Sequence, residues 1–377
     1  MNIKTVIMRS AYYFFGLFPI NNRKIVISSY AGRGYGNEGA SILEALDKIE
    51  KNYEAVWIVK NMDEKMPEGI RKVKYLSLRS IYDQCTARIW IDNRRKPSYV
   101  HKRKKQYYIQ TWHGNVCIKW VEKDAAEMME KQYVENAKHD AQMTNLMISG
   151  SKWRTQNYRK AFWYDGEIYE GNLYKSYKTE ENKQQARKDV QAYFGFKEEK
   201  RTVLYAPTFR NDGNLECYDI DYSRMLKAFE ERFGGKWRVI VRLHPNIADK
   251  NTKISYSEDV VNGSMYPGID DIICFSDCLI TDFSGCMFTA YRQEKKVLIY
   301  ASDMQDYLAK ERGVYFEIQK MPAPLATDND ELEQTILGFD EEKYEIDRKA
   351  LVDTLGYCEN DANAEIAKRI KILINRK

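Results

Sequence analysis

The chain has little histidine, little proline and no long apolar run. Of its 377 residues, 4 are histidine and 8 are proline. No Pro/Gly-rich linker, internal repeat or low-complexity tract is visible, which excludes solenoid and linker-tethered architectures. The apolar run at residues 11–20 is about half of the ~20 residues that a membrane-crossing helix needs. The 7 cysteines (Cys85, Cys117, Cys217, Cys274, Cys278, Cys286 and Cys358) form no C-x-x-C pair, so neither a zinc ribbon nor a disulfide framework is indicated. They read as reduced thiols, and Cys274 and Cys278 fall inside apolar patterns where cysteine acts as a small hydrophobe. A net charge of +5 leaves the molecule far from a polycation, and no nucleic-acid motif is present.

What is present fits a globular α/β protein. Apolar content of 44% is ordinary, and the length suggests two domains. Short apolar strands alternate with amphipathic helices. The pattern predicts strands near 24–28, 55–59, 73–75, 88–91, 107–110 and 145–148, with helices near 38–50, 78–85, 124–139 and 152–162. In the second half it predicts strands near 202–205, 238–243, 278–281 and 297–300, with helices near 222–233, 269–275 and 284–292. Strand–helix alternation with nearly continuous apolar strands predicts parallel sheets covered on both faces. Residues 178–201 are polar and helix-prone, so the domain boundary is expected near 171–178. A final helix near 362–375 follows an Asn/Asp-rich turn and could cross back to the first domain. Residues 1–22 combine Lys4 and Arg9 with an aromatic-rich stretch. That segment reads either as a helix lying in a membrane interface or as one packed on the protein's own core.

Ligands of open parallel sheets bind beyond the carboxyl ends of the strands, so the residues that follow strands are the candidates. After 107–110 comes Thr111-Trp112-His113-Gly114, and this histidine is either a packing residue or a proton acceptor. After 202–205 comes Ala206-Pro207-Thr208-Phe209-Arg210. After the next strand comes Arg242-Leu243-His244-Pro245, where period-two alternation sends Arg242 and His244 to one side. After 278–281 comes Asp282-Phe283-Ser284-Gly285 and then a helix. A helix N-terminus with Thr281, Ser284 and Gly285 at hand can hold a phosphate, although Asp282 or Ser284 could equally be a plain N-cap. The basic stretch Arg94-Arg95-Lys96 and Lys102-Arg103-Lys104-Lys105 is either a solvated loop or a seat for an anionic partner, lipid headgroups or a pyrophosphate-bearing acceptor. Two D-x-D triplets, Asp219-Ile220-Asp221 and Asp328-Asn329-Asp330, lie at expected helix starts and read as caps, so no metal site is assigned.

Several of these stretches together resemble one family. TWHGNVCIK (111–119), YAPTFR (205–210), RLHP (242–245) and SDCLITDFSGCMF (276–288) are similar to motifs of the CDP-glycerol:poly(glycerophosphate) glycerophosphotransferases, which build wall teichoic acid and related polymers. The resemblance runs in order from about residue 23 to the C-terminus. It departs at Gly285 and Thr289, where the family often has Ser and Asp, and at Gly171-Asn172-Leu173, in place of a G-x-P-R-N-D run.

The resemblance implies a GT-B fold, with two Rossmann-like domains (23–175 and 176–360) whose parallel sheets face a central cleft. It implies no cofactor, with CDP-glycerol or CDP-ribitol as donor substrate, and a lipid-linked, undecaprenyl-diphosphate acceptor at the cytoplasmic face of the membrane. His113 would be the general base. His244 and Arg242 would stabilise the transferring phosphate and the departing CMP. Gly114, Lys119, Thr208, Arg210, Thr281, Asp282, Ser284 and Gly285 would line the substrates. Two rival readings remain: a nucleotide-sugar glycosyltransferase on the same fold, and a non-catalytic protein that binds a membrane surface.

Overall fold

The computed structural model describes residues 3–173, 179–210, 216–243, 254–310 and 312–376. By its contacts the chain divides into two compact units. The first holds Met1–Asn115, Val121–Lys175 and Leu355–Lys377, and the second holds Val116–Trp120 and Ser176–Thr354.

The first unit is built on seven strands: β1 (Asn21–Ser28), β2 (Glu54–Val59), β3 (Ile70–Lys74), β4 (Ala87–Asp92), β5 (Tyr107–Gln110), β6 (Leu146–Ser149) and β7 (Glu167–Glu170). They pair in the order β3-β2-β1-β4-β5-β6-β7, and every pairing is parallel. Successive side chains of a strand face opposite ways, and both faces here are buried. On one face Ile25, Ile27, Trp57, Ile89 and Ile91 pack beneath the helices Asn37–Asp47 and Ala362–Asn375. On the other, Val26, Val56, Ile58 and Trp90 pack with Ile81 and Cys85 of the helix Leu78–Thr86 and with Met8 and Tyr12 of the helix Ile3–Phe15. That first helix therefore buries one side on the protein's own core. Its other side leaves Ile3, Ile7 and Phe14 exposed, and Leu17 just beyond it is 82% exposed. No helix among the described residues is long and apolar enough to cross a membrane.

The second unit holds β8 (Arg201–Tyr205), β9 (Trp237–Val241), β10 (Val260–Asn262), β11 (Cys278–Thr281), β12 (Lys296–Tyr300) and β13 (Leu325–Ala326), ordered β10-β9-β8-β11-β12-β13 and again all parallel. Val116–Trp120 joins this unit: Trp120 N–H donates to Gly313 O, and Tyr315 N–H donates to Ile118 O, both at 2.7 Å. Sequence reading assigned these five residues to the first domain, because a loop after a strand carries no sign of where its partners lie.

Three strands were absent from the sequence reading: β7, β10 and β13. Each is a sheet edge, and each is polar or only two to three residues long, so the apolar signal is weak. The helix expected over 124–139 is in fact a 3₁₀ stretch, Glu122–Met128, followed by an α-helix, Lys131–Met143. The break falls at Met129 and Glu130, whose ψ values of 153° and 135° are not helical, while Glu122 at the start of the 3₁₀ stretch turns its carboxylate inward to Arg95 and Tyr133. The predicted helix at 284–292 begins two residues later, at Cys286. Asp221 and Asp328 accept hydrogen bonds from Arg224 N–H and Glu331 N–H and cap their helices.

Candidate active site

His113 follows β5 in a tight turn. Left-handed backbone at Trp112 (φ 56°) and Gly114 (φ 81°) reverses the chain on either side of it, and Gln110 Oε1 accepts from Trp112 N–H at 2.9 Å to hold the bend. A non-glycine residue at positive φ is costly, so Trp112 marks a turn that its surroundings enforce. Its indole pays part of that strain back by stacking on the imidazole, with centroids 4.4 Å apart and planes 23° from parallel.

The imidazole Nδ1 lies 2.8 Å from Asn93 O. A carbonyl oxygen can only accept, so Nδ1 carries the proton and Nε2 keeps its lone pair. Burial pushes the His113 pKa down to about 4, with Arg154, Arg94 and Arg95 adding repulsion and the Asn93 bond opposing them. At neutral pH the ring is therefore uncharged, half-buried and held in one tautomer.

Asn93 is itself locked. Its Oδ1 accepts from Tyr30 N–H at 2.7 Å and its Nδ2 donates to Glu38 Oε2 at 3.2 Å, with both Asn93 and Glu38 buried. Behind it, the buried Arg95 bridges Glu122 and Asp140, and Lys96 pairs with Asp92 at 2.8 Å. Burial alone would lower the Arg95 pKa, but the two carboxylates outweigh it and hold the guanidinium charged. Much of the basic stretch is thus internal structure: Arg95 and Lys96 hold the floor of this turn, and Lys102 and Arg103 bond to Gln106 O and Phe18 O. Just past the histidine, the buried Arg154 donates to Asn115 O at 2.8 Å and fixes the outgoing chain. Arg154 was not singled out from sequence, since nothing in a helix-borne arginine says it caps a distant loop. Gly114 is exposed and opens the approach.

In the second unit the residues after β8, β9 and β11 come together, and several prove to be one another's partners. Asp282, 1% exposed, accepts from Thr208 N–H at 2.8 Å, Phe283 N–H at 2.6 Å and Arg210 Nη2 at 2.8 Å. Arg210 also donates to both oxygens of Asp303 and to Thr208 O. Burial would lower the Arg210 pKa, but Asp303 and Asp282 reverse that. Thr281 Oγ1 donates to Ala206 O at 2.7 Å. Arg210, Thr281 and Asp282, expected to touch substrate, thus use their polar atoms to tie two strand ends together.

Thr208 and Arg242 keep unused polar atoms among the described residues. Thr208 Oγ1 is buried without a hydrogen-bond partner among the described residues, which is costly unless something else completes it. Arg242 Nη1 donates to Gly263 O and Tyr266 O, and burial lowers its pKa. Its Nε and Nη2 make no bond to a described residue. Asp270 lies in the same electrostatic environment; burial and the adjacent Asp271 push its pKa up to about 6 despite Arg242. Ser284 Oγ accepts from Cys286 N–H, and Gly285 lies so close to Val116 O that an added Cβ would sit 3.1 Å from it. Lys119 places its ammonium 4.7 Å from the Tyr307 ring centre, and that ring stacks on Phe283 at 3.8 Å. Asp303 and Tyr307 were not among the candidate site residues, although their stretch, residues 299–316, is part of the family resemblance, because nothing local says that they reach Arg210 and Lys119. His244 lies outside the described residues. Among the described residues no group of three or more His, Cys, Asp or Glu side chains could hold a metal ion.

Comparison with known proteins identifies the family and the fold. Residues 10–374 match the model of the CDP-Glycerol:Poly(glycerophosphate) glycerophosphotransferase family. A teichoic acid poly(glycerol phosphate) polymerase of Staphylococcus epidermidis is 25% identical over all of this chain, which spans 54% of that relative's length. A polymerase of the same description from Bacillus spizizenii is 24% identical, with 94% of this chain and 93% of the relative covered. Among solved structures, the wall teichoic acid polymerase TagF superposes with a TM-score of 0.82 at 25% identity, covering 99% of this chain and 95% of that one. S. aureus MnaA, solved in a co-structure with UDP, shares the fold alone, with a TM-score of 0.54 at 14% identity. A family model that spans nearly the whole chain, over two parallel-sheet units of GT-B type, places this protein in the CDP-glycerol:poly(glycerophosphate) glycerophosphotransferase family.

Proposed function

We propose that this chain moves an alditol phosphate from a CDP-alditol, CDP-glycerol in the first instance, to a hydroxyl of a lipid-linked glycan or polyol-phosphate acceptor, releasing CMP. The acceptor oxygen attacks the β-phosphorus in line. The new P–O bond forms as the bond to the bridging oxygen breaks, and CMP leaves with that oxygen. A neutral hydroxyl is a weak nucleophile, so its proton passes to His113 Nε2, whose partner nitrogen already donates to Asn93 O. This oriented, uncharged imidazole is the observation that carries the reading.

On the donor side, Arg242 and His244 neutralise charge on the transferring phosphate and the departing CMP. Thr208 Oγ1, Ser284 and the N–H groups near Gly285 contact the phosphates, with Lys119 as a further cation. Arg210, Thr281 and Asp282 hold that loop in shape. Phosphoryl transfer depends mostly on positioning and electrostatics, which such groups supply. The helix Ile3–Phe15, apolar on its outward side, lies in the membrane interface and keeps the enzyme at the cytoplasmic face, next to an undecaprenyl-diphosphate-linked acceptor.

The test is to incubate the protein with labelled CDP-glycerol, CDP-ribitol and several nucleotide sugars, each with a lipid-linked disaccharide, and to measure CMP release and product mass. The His113→Ala variant is expected to fold normally and to lose at least ~10² in rate. Turnover close to wild type in that variant would remove the base assignment, and turnover of a nucleotide sugar alone would replace the reaction.

A further inference from the structure

Gln110, the last residue of β5, is fully buried, and the reaction proposed above gives it no task. Both ends of its amide are engaged, and they reach opposite sides of His113. Its Oε1 accepts from Trp112 N–H at 2.9 Å, inside the turn that carries the imidazole. Its Nε2 donates to Arg94 O at 3.1 Å, in the loop after β4. The carbonyl just before that one, Asn93 O, accepts from His113 Nδ1 at 2.8 Å. Two successive carbonyls of the β4 loop are therefore held by two side chains from the end of β5. The parallel pairing of these strands, with Asp92 beside Gln110, brings them level.

A backbone N–H only donates and a carbonyl only accepts, so this position needs an acceptor and a donor on one short, rigid group. The planar amide of glutamine is such a group, and it is braced from behind. Nε2 lies 2.8 Å from Tyr108 Oη and 3.4 Å from Asp140 Oδ2, while Tyr108 Oη donates to Asp140 Oδ1 at 2.9 Å. Asp140, also fully buried, accepts from Lys96 N–H and Arg95 Nη1 as well. Each bond in such a buried network supports the others, which leaves the amide little freedom to turn.

Both constraints on the imidazole lead back to this amide. Nδ1 rests on Asn93 O, next to the carbonyl that Gln110 holds. The ring plane rests on the indole of Trp112, whose backbone N–H Gln110 holds. We infer that Gln110 is a positioning residue: it sets the spacing between the His113 turn and the Asn93 carbonyl, and so keeps the proton on Nδ1 and the lone pair on Nε2. Its effect on turnover rests on the reading of His113 as the base; the positioning itself does not.

Two variants of the full chain test this. Gln110→Met keeps the length and removes both polar ends. Gln110→Glu keeps the shape and the acceptor but, when ionised, sets an oxygen against Arg94 O. That carboxyl would face Asp140 and Tyr108, with Arg95 beyond Asp140, and Asp92 and Lys96 near Tyr108. Burial and Asp140 favour its protonated form, and Arg95 opposes them. The protonated form again offers one donor and one acceptor. Nitrogen–proton NMR spectra of protein labelled with 15N-histidine report the tautomer, with His113 identified by its absence from His113→Ala. Wild type should show the Nδ1–H form alone. Gln110→Met should show a mixture with Nε2–H, and lose roughly 10²-fold in kcat with KM for CDP-glycerol unchanged. For Gln110→Glu, kcat should be low near about pH 8 and recover toward about pH 5.5, a span over which wild type is expected to be flat. Circular dichroism reports the fold of both. If Gln110→Met does not fold, Gln110→Glu at about pH 8 decides. A single Nδ1–H form kept in the folded variant overturns the proposal, whatever the rate does. A mixed tautomer with wild-type kcat supports the positioning and sinks the base assignment.

Discussion

The charge state of His113 sets a quantitative expectation for the pH profile. An ordinary imidazole titrates near ~6.5, and here burial holds the value at about 4. At pH 5 a base with that lower value is still about nine-tenths neutral, whereas an ordinary one is only about 3% neutral, a roughly thirty-fold difference in competent enzyme. The rate of CMP release from CDP-glycerol at saturating acceptor should therefore be nearly flat from pH 7 to pH 5 and fall below that. The same shift has a stability consequence. Between about 4 and ~6.5 the unfolded chain binds the proton first, so stability from the neutral ring is complete above ~6.5 and is lost as pH falls toward 4. Circular dichroism at each pH separates that loss from titration of the base. Asp270, pushed up to about 6, could add its own inflection, and Asp270→Asn removes it. Tyr30 lies 5.5 Å from the imidazole, centre to centre. Tyr30→Ala uncovers the ring and should move the acid limb upward toward ~6.5. A wild-type acid limb centred near ~6.5 that survives Asp270→Asn would refute the reasoning.

Further outcomes follow from the second unit. Arg210→Met strips the only guanidinium that pairs with Asp282 and Asp303 among the described residues, leaving two carboxylates uncompensated. It should cost roughly 3–5 kcal/mol in urea unfolding, and a loss under about 1 kcal/mol would contradict the scaffold role. Thr208→Val keeps the shape and removes a hydroxyl that has no protein partner. The melting temperature should hold while KM for CDP-glycerol rises several-fold; an unchanged KM would dismiss Thr208 as a ligand contact. Gly285→Ala puts a methyl 3.1 Å from Val116 O, so the carbonyl must give by a few tenths of an ångström. A loss of about 1 kcal/mol is expected, and a gain in stability would show that the segment yields freely.

Much of this protein could be read from its residues alone. The β-strands that carry the site are central and buried on both faces, so runs such as Lys24-Ile25-Val26-Ile27 and Cys278-Leu279-Ile280-Thr281 declare themselves by composition. Edge strands such as Glu167–Glu170 face too little core to show an apolar signature. The position of His113 at a strand end was also legible, because a β-prone run stops at Gln110 and Gly114 follows at once. Its tautomer was not, since that depends on a carbonyl twenty positions earlier brought beside it by the parallel pairing of β4 and β5. Likewise Arg210 and Asp282 looked like ligand contacts, as charged residues after strands often are. The fold aligned β8 with β11 and made them each other's partners. Local sequence determined which residues stand at strand ends, because side-chain periodicity and burial act within a few residues. Which of those residues are spent on one another, and which keep an open valence, was decided only when distant strands came into register, because a hydrogen bond requires contact and contact is set by the tertiary structure.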